Sequence, residues 1–138
     1  MSSPTVAPSL AGNILGSAAG NFVIAEWQDA GGVSAQPRFI APLHLHHSDD
    51  EAWYVLEGVL RVKVGNDDVE VRAGSGVLVP CGTPHTYWNP GPAPVRYLLI
   101  MTSNILRLIQ EIHTMQERTP SALAAVFEKY DSSLLASP

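Results

Sequence analysis

His44-Leu45-His46-His47-Ser48-Asp49-Asp50-Glu51 sets three imidazoles and three carboxylates within eight residues. Read as a strand running into a turn, the segment has a definite geometry. Residues two apart on a strand face the same way, roughly 7 Å apart along the chain. His44 and His46 therefore project together while Leu45 points away. The turn over His47-Ser48-Asp49-Asp50 can bring a Glu51 oxygen to the same point. His47 has the opposite parity to His46 and is expected at the surface, outside the donor set.

A second segment supplies the missing partner. Gly74-x5-Pro80-x-Gly82-x2-His85-x3-Asn89 spaces its punctuating residues so that tight turns aim the next strand. Thr83-Pro84 stiffens the approach to His85, because proline fixes its own φ and restricts the residue before it. Cys81 lies in the same turn and is expected as a small packed thiol. Three imidazoles and one carboxylate (His44, His46, Glu51 and His85) suit a mononuclear transition-metal centre, with ring nitrogens about 2.0–2.2 Å from the ion. Since His85 stands far from the others in sequence, only the fold can close such a site.

Outward from these segments the chain reads as short strands. Phe22–Trp27 is the first, ended by Asp29-Ala30-Gly31-Gly32. Trp53–Glu57 is rich in aromatic and branched residues, and Gly58 follows as a turn residue that tolerates positive φ. Leu60, Val62 and Val64 alternate with Arg61 and Lys63, the period of a half-buried strand. Gly65-Asn66-Asp67-Asp68 signals a hairpin, and Val69–Arg72 returns with the same period. Val77–Val79, His85–Asn89 and Val95–Met101 complete the series, with Asn89-Pro90-Gly91-Pro92 stopping one strand. Such spacing predicts an all-β antiparallel sandwich or small barrel.

The ends of the chain differ from this middle. Residues 1–20 are dominated by Ser, Ala, Pro and Gly, and predict a flexible arm or one that orders on docking. The barrel is placed at 21–102. Beyond it, Ile105, Leu106, Ile109 and Ile112 fall at helical spacing, with Ser103 or Asn104 available as N-cap. Thr119-Pro120 provides a cap and first-turn proline for a second helix, with Leu123, Val126, Phe127 and Tyr130 as its stripe. Residues 103–138 are therefore expected as a helical extension packed on the barrel, and His113 as a structural residue at the edge of an apolar stripe.

Composition narrows the function classes. At 138 residues, 46% hydrophobic and 15% charged, the chain can build a core and is not a disordered polyelectrolyte. The net charge is −5, and eight scattered Lys and Arg offer no basic patch for nucleic acid. No apolar run reaches membrane-spanning length. One cysteine cannot form an internal disulfide, and the N-terminal residues lack the features of a secretory signal, so a cytoplasmic protein is expected.

The two metal-seeking segments resemble the two motifs of the cupin family. His44, His46, Glu51 and Gly58 match the first motif, and Gly74, Pro80, Gly82, His85 and Asn89 fill the second. The opening glycine of the first is replaced by Arg38, which alters a turn and leaves every donor in place. The resemblance covers about residues 38–100 and implies a jelly roll, or double-stranded β-helix, holding one divalent metal (Fe, Mn, Zn or Ni). It also implies a homodimer, and a ligand set similar to that of quercetin dioxygenases. Glu51 is then both a ligand and the candidate catalytic base.

Strand parity suggests what lines the cavity. Arg38 shares the parity of His44 and could hold an anionic substrate, unless Pro37 and Pro42 break the strand. Trp53 and Val55 share the parity of Glu51, and Tyr87 that of His85; these are expected as lining. The function expected first is a metal-dependent dioxygenase-type oxidoreductase acting on a small organic molecule. Alternatives are a redox-silent isomerase, cyclase or decarboxylase, and a non-catalytic small-molecule binder.

Overall fold

A computed structural model of the chain describes residues 4–7 and 9–136. Residues 1–3 and 8 of the expected arm, and 137–138 of the expected extension, lie outside the described residues. Within them the order is β1 (Ile14–Leu15), β2 (Phe22–Asp29), β3 (His44–His46), β4 (Glu51–Glu57), β5 (Val59–Val64) and β6 (Asp67–Arg72). There follow β7 (Gly76–Val79), β8 (His85–Trp88), β9 (Val95–Thr102), α1 (Ser103–Thr114), α2 (Pro120–Lys129) and β10 (Ser132–Leu134).

The strands form two five-stranded sheets, ordered β1-β2-β9-β4-β7 and β10-β3-β8-β5-β6. Every pairing between them is antiparallel. Chain neighbours such as β3 and β4 sit in different sheets, so the chain wraps back and forth as a jelly roll. Alternation along β9 shows how the layers close. Val95, Tyr97, Leu99 and Met101 are buried, while Arg96, Leu98, Ile100 and Thr102 are only half-buried. The inward set meets Trp53, Val55, Leu60 and Val62 in one core. Burying each Leu or Val of this kind stabilises the fold by about 1.5–3 kcal/mol.

Turn chemistry follows the sequence closely. Val64 pairs with Asp67 across a two-residue turn, and Gly65 takes φ 61° there. Asn89 donates to Asp29 Oδ2 and to the Ala93 carbonyl, and accepts from the Gly91 amide, so it pins the turn after β8.

The ends depart from expectation in instructive ways. Ile14–Leu15 pairs with Ile24 and Ala25, so the last part of residues 1–20 is an edge strand and not a free arm. The apolar pair finds a ladder, and Gly16 at φ 102° turns the chain out of it. The cap of α1 is Thr102, whose Oγ1 accepts from the Ile105 amide, and neither Ser103 nor Asn104. Thr119 caps α2 as expected, with Pro120 following. The last strand, β10, was not anticipated at all; it pairs with β3, Ser132 opposite His46 and Leu134 opposite His44. Among the described residues no helix is long and apolar enough to cross a membrane.

Candidate metal centre

Three strands, two from one sheet and one from the other, deliver the four donors. His44 and His46 come from β3, His85 from the facing position of β8, and Glu51 from the first residue of β4. The alternation in His44-Leu45-His46 buries both histidines and leaves Leu45 half-buried on the other side. His85 and Glu51 are buried as well. One donor atom from each residue lies within 4.8 Å of every other. Donors held about 2.0–2.2 Å from one ion stand at most about 4.4 Å apart, so about half an ångström of contraction seats an ion.

The outward nitrogens settle which tautomer each ring holds. His44 Nδ1 faces the Pro42 carbonyl at 2.6 Å, and His85 Nδ1 the Thr83 carbonyl at 2.9 Å. A carbonyl only accepts, so Nδ1 carries the hydrogen and Nε2 turns a lone pair inward. His46 Nδ1 lies 2.7 Å from Ser132 Oγ. Inside, Glu51 Oε1 stands 3.1 Å from His85 Nε2 and 3.3 Å from His46 Nε2. Yet His46 Nε2 is buried without a hydrogen-bond partner. An imidazole lone pair facing a carboxylate oxygen is unfavourable unless a proton or a cation lies between them. A divalent ion would satisfy all of these atoms together, so the donor set fits a metal.

Charge states agree with that use. Burial, reinforced by the neighbouring His85 and His46, lowers the His44 pKa to about 3, which keeps its ring neutral. Burial by itself would raise the Glu51 pKa, but contacts with His46 and His85 outweigh it and bring the carboxyl down to about 2. A neutral His44 ring and an ionised Glu51 carboxylate are forms a metal requires.

His44, His46 and Glu51 of the centre line a cavity of about 370 Å³. Trp27, Leu99, Ile105, Leu108 and Phe127 form much of its wall, and the Phe127 ring lies 5.2 Å from that of His44. Among the described residues, no lysine or arginine lines it. Gln28 and His113, both exposed, are further polar groups of its lining. Tyr87 and Tyr97 share a hydrogen bond of 3.0 Å on the wall. Burial raises both phenols, Tyr87 well above its ordinary value and Tyr97 to about 12, so both stay neutral.

The expected lining residues separate. Trp53 and Tyr87 do line the cavity. Val55 does not; it is fully buried in the hydrophobic core. Arg38 is exposed and donates to the Gly31 carbonyl at 3.1 Å. Residues 37–42 form no strand beyond a bridge from Phe39 to Trp88, since Pro37 and Pro42 cannot donate to a ladder. Parity therefore does not carry from His44 back to Arg38. Cys81 is exposed and not packed, its amide held at 2.8 Å by Asp50 Oδ1. His47 is exposed, with Nε2 at 2.8 Å from Ser133 Oγ.

Ser132 escaped the sequence reading, and His113 was expected only as a structural residue. Ser132 lies in a three-residue strand too short to show a period. His113 is not a packed structural residue; it stands at the edge of the α1 stripe, and only the position of α1 over the barrel mouth turns that edge toward the cavity.

Known proteins add the family. The cupin-domain profile matches residues 33–101. An uncharacterized protein of Methanocaldococcus jannaschii is 36% identical over 56 residues, 41% of this chain and 45% of that protein. Mannose-1-phosphate guanylyltransferase 2 of Escherichia coli O157:H7 is 30% identical over 64 residues, 46% of this chain and 13% of that enzyme. The chain thus spans less than half the length of either relative. A solved structure of a candidate sugar phosphate isomerase from Acidithiobacillus ferrooxidans superposes with a TM-score of 0.51 at 29% identity, covering 59% of this chain and 50% of that one. With the profile match falling on the jelly roll that carries all four donors, this chain belongs to the cupin family.

Proposed function

We propose that this cupin is a metal-dependent oxidoreductase of dioxygenase type, acting on a small, largely apolar organic molecule that chelates through oxygen. The observation that carries the reading is the convergence of His44, His46, Glu51 and His85 beside an apolar cavity. Fe(II) or Mn(II) bound there would supply redox chemistry towards dioxygen, and Zn(II) or Ni(II) Lewis-acid chemistry. His44, His46 and His85 would hold the ion through Nε2. Glu51 has a double role. While it contacts His46 and His85 its carboxyl is a very weak base, with a pKa of about 2. Released from them, it recovers basicity and takes the proton of a substrate hydroxyl. The apolar wall excludes water and orients the body of the substrate.

The candidate sugar phosphate isomerase favours a second reading, redox-silent isomerisation, and the names of both it and the guanylyltransferase point to phosphorylated sugars. A phosphate is usually met by Arg or Lys. Among the described residues neither lines this cavity, which supports an uncharged substrate over a sugar phosphate.

Oxygen uptake by the Fe(II)-loaded protein, with a panel of polyphenols and β-diketones, tests the proposal. Consumption of oxygen in step with substrate loss is expected. Turnover undiminished under argon would move the reading to the redox-silent class, and stoichiometric binding without turnover to a binding protein.

A further inference from the structure

We propose that Ser132, outside the residues matched by the cupin profile, is a positioning residue of the metal centre, orienting His46 through its hydroxyl. The inference rests on the metal reading given above and assigns part of the site to the C-terminal extension.

The hydrogen-bond directions leave little freedom. Ser132 is 1% exposed, and its Oγ stands 2.7 Å from His46 Nδ1 and 3.1 Å from the Tyr130 carbonyl. The carbonyl can only accept, so the hydroxyl hydrogen is directed to it, and Ser132 Oγ is left to accept from His46 Nδ1–H. That fixes the His46 tautomer with Nε2 as the inward lone pair. The Tyr130 carbonyl is held in turn by Asn104 Nδ2 at 2.8 Å, which also donates to Asp49 Oδ2 at 2.8 Å. A chain of hydrogen bonds thus runs from the first turn of α1 to the His46 ring.

His46 differs from its fellows in this dependence. His44 and His85 each use the carbonyl two residues earlier, a contact that their own strand entry provides. His46 draws its partner from a residue 86 positions away. The backbone brings that residue into place: Ser132 pairs with His46 in the ladder, the His47 amide donates to the Asp131 carbonyl at 2.9 Å, and the Leu135 amide to the Leu43 carbonyl at 2.9 Å. Asp131 takes φ 55° to enter the ladder. Partners of this kind, behind a metal-bound imidazole, typically control affinity by about 10–100-fold.

The test uses the full chain with Zn(II), its affinity read by competition with a chromophoric chelator. Ser132→Ala and Ser132→Val should weaken binding by about 10–100-fold, and Ser132→Thr, isosteric with the valine variant but keeping the hydroxyl, should bind like the unaltered protein. Ser133→Ala, whose lost hydroxyl meets only the exposed His47, is the control for the ladder and should change nothing. In the metal-free protein, imidazole 15N shifts should show His46 protonated at Nδ1, and this preference should weaken in Ser132→Val. Unchanged affinity in folded Ser132→Val would overturn the inference, and so would an equal loss in Ser133→Ala. If Ser132→Ala does not fold, the Thr and Val pair decides. Failure of the unaltered protein to bind Zn(II) would overturn the metal reading itself, and this inference with it.

Discussion

His44 and His85 face each other across the β3–β8 ladder, their ring centroids 4.3 Å apart. Burial denies a charged His44 ring its hydration, and His85 at this distance opposes the charge further. His44 therefore links acidity to stability. Unfolded, His44 titrates near 6.5; folded, near 3, for burial and its histidine neighbours oppose the charge. Between those values the unfolded chain binds more protons, so stability falls as pH falls. Glu51 has the same sign over a lower window, from 4.5 unfolded to about 2 folded. Urea midpoints of the metal-free protein should drop between about pH 7 and pH 5, and His44→Gln should flatten that drop. A midpoint that rises on acidification would contradict the assignment.

Val55 and Trp53 follow each other on one face of β4, yet only Trp53 reaches the cavity. Val55→Ala should lower stability by about 2–3 kcal/mol, from two lost methyl groups and the void they leave. Metal affinity should be unaffected. Trp53→Phe should shift ligand affinity instead, since the Trp53 ring lies 5.7 Å from that of His85. Denaturant unfolding and ligand titration on the two variants separate the roles.

Motif glycines are not equivalent. Gly58 has φ 82°, and a Cβ there would lie 2.4 Å from the Pro94 carbonyl oxygen. Gly74 has a similar φ of 84° but open space around it. Gly74→Ala should cost about 1–2 kcal/mol for the left-handed backbone alone. Gly58→Ala must also displace a backbone segment, and should cost clearly more in thermal or urea unfolding. Equal costs would mean that the close approach does not constrain the fold.

Arg38 holds a carbonyl at the surface and stands outside the cavity. Arg38→Ala should stay within about 0.5 kcal/mol of the unaltered stability. Inorganic phosphate and mannose 1-phosphate should compete poorly for the cavity in both proteins, as measured by calorimetric titration. Tight phosphate binding lost in Arg38→Ala would restore this residue to the site.

Much of this architecture is legible because local rules act on the residues concerned. His44-Leu45-His46 alternates, Gly65-Asn66 must turn, and Thr119-Pro120 must start a helix. Where the reading fails, the deciding partner is remote. Ser132 gains its role from a ladder with β3 that three residues cannot announce. His113 reaches the cavity only because α1 packs over the barrel mouth. Arg38 misses it because the flanking prolines replace a strand by an irregular segment. Thr102 becomes the α1 cap because β9 runs one residue further than its apolar alternation suggests.

The most direct measurement is elemental analysis of protein produced without a histidine tag, beside a His46→Ala, His85→Ala double variant. About one transition-metal ion per chain is expected in the first and essentially none in the second, with the fold retained. Equal metal content in the two would contradict the centre built from His44, His46, Glu51 and His85.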